Sequence, residues 1–62
     1  MEPMRADARQ NRMRILDAAR EVLAERGINA PIDEIARRAG VGIATLYRRF
    51  PTRAELVAAA FD

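Results

Sequence analysis

The stretch from residue 40 to residue 50, GVGIATLYRRF, decides the fold of this 62-residue chain. Gly40 can adopt a positive backbone angle, so the chain can turn sharply and place Val41 between two helices. Gly42 is an acceptable, though weak, N-cap for a helix that follows. That helix should stop before Pro51, because the residue preceding a proline is disfavoured in the helical region.

The helix predicted in this stretch has two chemically different faces. Leu46 and Phe50 are four residues apart and therefore share the face that we expect to be buried. Ala44 and Arg48 lie on nearly the opposite face, with Thr45 beside them. A face made of a small residue, a hydroxyl and a guanidinium can approach a polyanion closely, and DNA is the commonest ligand for this arrangement.

A long helix is predicted at the start of the chain. It should begin near Asn11 and end at Gly27, which can take the left-handed conformation that closes a helix. We expect Ile28 to fold back on its last turn. Apolar residues recur at the spacings of one, three and four that are typical of a buried stripe; they are Ile15, Leu16, Ala19, Val22 and Leu23.

A second, shorter helix is predicted from Pro31 onward. Proline suits a first helical turn because its missing N–H costs no hydrogen bond there, and Asn29 or Ala30 would cap the helix. A short helix, a sharp turn and another short helix form the pattern of a helix-turn-helix. The apolar residues of this second helix have the same period; they are Ile32, Ile35, Ala36 and Ala39.

A fourth helix is predicted after Pro51. Residues 52–55 form a capping box, in which the Thr52 hydroxyl and the Glu55 carboxylate can satisfy each other's free backbone donors. The apolar pattern is still running at the last residue, so we expect only the start of a longer connecting helix. Its apolar face consists of Leu56, Val57, Ala60 and Phe61.

The predicted fold class is all-α, a three-helix bundle with a helix-turn-helix and the start of a fourth helix. Residues 1–10 lack an apolar period and are predicted to be a flexible basic arm, residues 11–50 the bundle, and residues 51–62 the start of the link. Arg5 and Arg9 fit either a solvated tail or an arm that reaches a DNA minor groove. The predicted core residues are Leu16, Ala19, Leu23, Ile35, Ala36, Val41, Leu46 and Phe50.

Composition argues against an enzyme and favours a polyanion as partner. The chain has no Cys and no His, so the commonest metal ligands and the commonest general base are missing, and no cofactor is expected. All 11 basic residues are arginine. Five of them lie between Ile35 and Ala54 without one carboxylate, so one end of the domain should be electropositive. With no apolar run of membrane length, we expect a cytoplasmic protein.

Four segments resemble the N-terminal DNA-binding domain of TetR-family transcriptional regulators. They are ILDAA at residues 15–19, IARRAGV at 35–41, TLYRRF at 45–50 and TRAEL at 52–56. The resemblance extends from about Arg12 to Phe61. It implies a regulator, and more specifically a repressor, that binds a near-palindromic operator in double-stranded DNA as a homodimer. It also implies release by a small molecule that enters a separate C-terminal domain, which the 62 residues do not include.

The same resemblance assigns roles to single residues. A recognition helix over about residues 43–49 would enter the major groove, with the Tyr47 hydroxyl on a phosphate. Arg48 and Arg49 would reach bases or phosphates, and Arg53 would bind a phosphate at the start of the fourth helix. The complete set of implied DNA-binding residues is Gly42, Ile43, Ala44, Thr45, Tyr47, Arg48, Arg49 and Arg53.

The chain departs from the family pattern at three positions. Family members usually carry Ser or Thr where this chain has Gly42, a polar or basic residue where it has Ile43, and often Thr where it has Pro31. These losses leave base readout to few groups. We expect a guanine contact from Arg48 or Arg49, and apolar contacts to thymine methyl groups from Ile43, Ala44 or the methyl of Thr45.

Several residues have a second interpretation. Tyr47 could be a half-buried core aromatic, and Arg37 and Arg38 could be solvated charges at a helix end rather than DNA contacts. An alternative function for the whole chain is a helical protein-interaction module. It would dock through Ile43 and the face formed by Leu56, Val57 and Phe61.

Overall fold

A computed structural model describes the backbone of residues 3–61 and the side chains from residue 9 onward. These residues form four α-helices and no strand: α1 (Pro3–Arg26), α2 (Ile32–Ala39), α3 (Ile43–Arg49) and α4 (Arg53–Ala60). The predicted all-helical class is thus confirmed. Within the same range, no helix combines the length and the apolar character that crossing a bilayer requires.

The first helix begins earlier than its apolar pattern predicts. It starts at Pro3 rather than near Asn11 and runs for 24 residues. Proline suits a first turn, and Arg, Ala, Met and Gln are strong helix formers, so residues 3–10 extend the helix although their sequence has no apolar period. The flexibility of the arm and a contact with a minor groove stay predictions, and the Arg5 side chain lies outside the described residues.

The core lies between α1 and the shorter helices. α1 packs against both α2 and α4, and α2 packs against α3. Of the predicted core residues only Val41 is not fully buried, and it packs against the others from the edge. The buried set is Ile15, Leu16, Ala18, Ala19, Val22, Leu23, Ala30, Ile32, Ile35, Ala36, Ala39, Leu46, Phe50, Leu56 and Ala60.

The turn between α2 and α3 has the geometry that its sequence predicts. Gly40 has a φ of 76°, in the left-handed region that favours glycine. Its N–H donates to the carbonyl of Arg37 (3.1 Å), and the N–H of Val41 donates to the carbonyl of Ala36 (3.0 Å). These two bonds close α2 in a Schellman motif. The backbone therefore leaves α2 in a fixed direction, which sets the start of α3.

The connection between α1 and α2 differs from its prediction in two details. Gly27 closes α1 with a φ of 94°, as expected, but Ile28 is 61% exposed rather than folded back. Ala30 is the buried residue of this connection, and its N–H donates to the carbonyl of Gly27 (3.1 Å). Pro31 is the N-cap of α2, with an extended backbone, instead of lying in the first turn. With the smaller Ala30 buried beneath the loop, Ile28 is left pointing to solvent.

Candidate nucleic-acid interface

α3 is attached to the domain through a narrow inner face. Leu46 is completely buried and Phe50 is 7% exposed, so these two side chains fix the rotation of the helix about its axis. Thr45 is partly buried. The other side chains of the predicted recognition helix lie on its exposed surface; they are Ile43, Ala44, Tyr47, Arg48 and Arg49.

The exposed surface of α3 divides into an apolar half and a basic half. Because successive helical residues are rotated by about 100°, Tyr47 falls between Ile43 and Ala44 around the axis. Arg48 and Arg49 fall on the other half, on either side of Thr45. Ile43 is 39% exposed and Tyr47 is 46% exposed, so the apolar half is accessible to a ligand.

The basic half of α3 is free of carboxylates. In the part of the chain with described side chains, neither Arg48 nor Arg49 forms an ion pair or donates a side-chain hydrogen bond. Both side chains are exposed. An unpaired guanidinium offers five N–H donors, so each can bind a phosphate or a base edge without first breaking an internal bond.

Arg38 is held in a carboxylate cluster between α1 and α2. Its guanidinium lies 2.9 Å from Glu25, 3.4 Å from Glu34 and 3.8 Å from Glu21. The hydrogen bond from Arg38, and its positive charge, lower the pKa of the Glu25 carboxyl, and the same hydrogen bond raises the pKa of Arg38. Arg38 thus serves the packing of α2 on α1. Arg37, its neighbour, is exposed and has no such partner among the described side chains.

Two other arginines are also committed to the surface of α1. Arg20 forms an ion pair with Asp17 (2.9 Å) and donates from Nε to the carbonyl of Ala60 (2.6 Å), which ties α1 to the end of α4. Arg26 lies 3.6 Å from Glu34. The acids of α1 and α2 that form these pairs are therefore neutralised on the α1 side of the domain, away from the arginines of α3.

Arg53 has an internal role that its position in the sequence does not reveal. One guanidinium nitrogen, Nη1, donates to the carbonyl of Ile28 (3.3 Å) and to that of Ala30. The side chain thereby connects the start of α4 to the loop between α1 and α2. Every residue type supplies a backbone carbonyl, so nothing in the sequence indicates this contact. Only Nη2 and Nε remain without a partner among the described residues.

Tyr47 is 46% exposed and is not among the side chains that pack against the core. In the described part of the chain its hydroxyl has no hydrogen-bond partner. The hydroxyl can therefore donate to an incoming acceptor. Gly42 is the N-cap of α3 and makes no side-chain hydrogen bond to the helix. The Ser or Thr that family members usually carry at this position would supply one.

The apolar face expected for protein docking is mostly used inside the domain. Leu56 is 1% exposed and belongs to the core, so it cannot be part of a docking surface with Val57 and Phe61. Val57 is partly buried against the same core, whereas Phe61 is 61% exposed. Among residues 9–61, no group of His, Cys, Asp or Glu is arranged to hold a metal ion.

Comparisons with known proteins agree with this geometry. A family model described as bacterial regulatory proteins, tetR family, matches residues 15–60. An HTH-type transcriptional regulator of Staphylococcus aureus strain USA300 is 41% identical over 54 residues, which cover 86% of this chain and 29% of that protein. Counterparts from strains NCTC 8325 and COL give the same values. The chain thus spans less than a third of these relatives' length, and no solved structure matches it.

Proposed function

The chain belongs to the tetR family of bacterial regulatory proteins and is a DNA-binding domain of a transcription regulator, and from this premise we propose that α3 is its recognition helix. One observation carries the proposal. Among the described side chains, the arginines on the outer face of α3 are exposed and unpaired, whereas four acids of α1 and α2 lie within ion-pair distance of other arginines; they are Asp17, Glu21, Glu25 and Glu34. A helix of this kind fits the major groove, where guanine presents two acceptors to a guanidinium.

The proposed contacts divide into those that read sequence and those that fix position. Arg48 or Arg49 reads guanine, because a guanidinium can bind the guanine O6 and N7 acceptors together. Tyr47 donates its hydroxyl to a phosphate. Arg53 reaches a phosphate with the nitrogens that the loop carbonyls leave unused. The phosphate contacts of Tyr47 and Arg53 hold the helix in register and carry no base preference themselves.

The properties of the full-length protein are part of the same proposal. We propose a repressor that binds a near-palindromic operator as a homodimer, with one α3 in each half-site. The two recognition helices then need a separation of about 34 to 36 Å. A small-molecule effector would act through a C-terminal domain. Because the proposed operator is part of the bacterial chromosome, the proposed location of the protein is the cytoplasm. The chain covers 29% of a relative that is named an HTH-type transcriptional regulator, so that relative has room for a further domain.

Salt dependence separates the proposed function from that of a protein-interaction module. Each phosphate bound by an arginine contributes about −0.9 to the slope of log K against log salt. We expect weak binding of the 62-residue chain to a labelled duplex at low salt, with an affinity that falls steeply as salt is added. Fluorescence anisotropy measures this directly. An affinity that hardly responds to salt would contradict the proposal, because an apolar interface is insensitive to ionic strength.

A further inference from the structure

The residues at the start of α3 offer apolar groups and few polar ones. Gly42 has no side chain, and a Cβ added there would meet nothing within 4 Å, so the space beside it is open. Ile43 is 39% exposed, and Ala44 is exposed as well. The nearest hydroxyl belongs to Thr45, which is partly buried. Residues 42–44 therefore have no side-chain donor or acceptor with which to recognise a base edge.

The major groove offers one apolar feature that such a surface can recognise. Base pairs present hydrogen-bond donors and acceptors there, and thymine adds the methyl group on its C5 carbon. Cytosine acquires a methyl group at the same ring position when it is methylated. Pairing an isoleucine with a polar base edge would desolvate that edge without a replacement hydrogen bond, which is unfavourable. A C5 methyl group is thus the ligand that matches Ile43.

We propose that Ile43 and Ala44 form a methyl-reading surface that selects bases carrying a C5 methyl group. The inference rests on the proposed role of α3 and names the chemistry that its apolar half recognises. In this arrangement, guanine is read by the basic half of α3 and methylated pyrimidines by the apolar half. Burying one methyl group contributes about 0.8 kcal/mol, which corresponds to roughly a fourfold change in affinity.

Uracil is the matched probe, because it differs from thymine only by the missing methyl group. A duplex is first selected from a random pool by the 62-residue chain at low salt. Its thymines are then replaced by uracil one at a time, and the affinity of each duplex is measured by fluorescence anisotropy. We expect roughly a fourfold loss at one or two positions. A C5-methylcytosine placed at those positions should bind more tightly than an unmethylated cytosine by the same factor.

Two variants link the methyl preference to Ile43. Ile43→Ala should lose the preference for thymine at the position that Ile43 covers, because that side chain is gone, whereas a preference that Ala44 gives at a second position should remain. Ile28→Ala removes an isoleucine that is also exposed, at 61%, but lies outside α3. It should keep the full preference. Circular dichroism checks that both variants remain helical, so that a loss of binding is not mistaken for a loss of preference.

Three outcomes would overturn the inference. One is selective binding by the wild-type chain that does not distinguish thymine from uracil at any position. Another is an equal preference in the wild type and Ile43→Ala. In both cases the proposed recognition helix can still stand, because selective binding persists. If no duplex is selected or bound, the role proposed for α3 and the methyl-reading surface fail together.

Discussion

The two Arg-Arg pairs of this chain look alike in sequence and differ in the folded domain. Each pair lies in the last turn of a short helix, where a cation complements the helix dipole. In the α2 pair, Arg38 is surrounded by three carboxylates from α1 and α2. In the α3 pair, Arg48 and Arg49 are exposed and have no carboxylate partner among the described side chains.

The availability of its arginines, rather than their presence, therefore favours α3 as the proposed DNA-binding surface. An arginine held by Glu21, Glu25 and Glu34 would have to break those contacts before it could bind a phosphate. An arginine on α3 meets no such competition. The acids that hold Arg38 also reduce the positive potential near α2, so the field of the domain is concentrated on the side of α3.

The largest expected effect is on DNA affinity, through the free pair. Arg48→Ala should weaken binding to a selected duplex by about 1–3 kcal/mol if Arg48 reads a guanine, and should relax the preference at that one base pair. Because the Arg48 side chain forms no ion pair or hydrogen bond with the described side chains, the unfolding temperature of the variant should stay the same. Anisotropy titrations against duplexes with single base changes provide the measurement.

Arg38→Ala is the matched control for this comparison. It removes an arginine from the other pair, and it should lower the unfolding temperature while leaving DNA affinity nearly unchanged. If Arg38→Ala weakened binding as much as Arg48→Ala, the distinction between a committed Arg38 and the free arginines of α3 would be wrong.

A second prediction concerns the turn that sets α3 relative to α2. Gly40→Ala should destabilise the domain by roughly 1–2 kcal/mol, because a residue with a Cβ is strained in the left-handed region. No clash contributes, since an added Cβ at Gly40 meets nothing within 4 Å. Urea denaturation followed by circular dichroism measures the change.

Gly42→Ser tests the other glycine of the same turn and should have the opposite sign. Gly42 has a φ of −72°, which any residue can adopt, and its Cβ position is also open. A serine N-cap should stabilise α3 by a few tenths of a kcal/mol. Equal destabilisation by both substitutions would show that space, and not backbone conformation, limits this turn.

Most of the fold could be predicted from local rules. Helix ends marked by Gly27, Gly40 and Pro51, together with a regular apolar period, are enough to define α2, α3 and the core. The start of α1 could not be found in this way, because residues 3–10 are helical through propensity and leave no apolar stripe. The exposure of Ile28 depends on which loop residue is buried, and sequence spacing does not decide that.

Less of the candidate site could be predicted, because charge pairing across helices is a tertiary property. The sequence identifies the exposed positions of α3 from their spacing, and the resemblance assigns roles to them. The sequence does not show which of Arg37 and Arg38 is paired with carboxylates, since both are arginines in the last turn of α2. The contacts of Arg53 with two loop carbonyls were also beyond prediction, because any residue supplies a carbonyl.

A third prediction concerns Arg53. One of its guanidinium nitrogens is bound to the loop carbonyls of Ile28 and Ala30, and the others are available to DNA. Arg53→Ala should weaken binding to all duplexes alike and reduce the salt slope by about one phosphate contact. It should also lower stability, because the start of α4 loses its bonds to the loop. Anisotropy at several salt concentrations and thermal unfolding separate the two effects.

Arg53→Lys sharpens this result, because lysine keeps the charge but its one nitrogen lies a bond nearer to the backbone than Nη1, the atom that makes both loop contacts. It should restore most of the salt slope and little of the stability. A changed base preference in either variant would show that Arg53 reads sequence and would remove it from the phosphate contacts.

The smallest effect is expected for the pH dependence of stability, in the carboxylate cluster around Arg38. Because the Arg38 hydrogen bond lowers the pKa of Glu25, the folded state holds this carboxyl ionised more strongly than the unfolded state does. Its stabilising contribution is complete above the ordinary glutamate pKa of about 4.3 and is lost as the pH falls through the lower value in the folded state. Glu25→Gln should therefore be less stable than the wild type at neutral pH, and the two should converge in acid. In an Arg38→Ala background the same substitution should have a much smaller effect, because only the charge of Arg26 then lowers the pKa of Glu25. A pH-dependent difference of undiminished size would mean that Arg38 is not the main partner of the Glu25 carboxylate, and thermal unfolding across the pH range distinguishes the two cases.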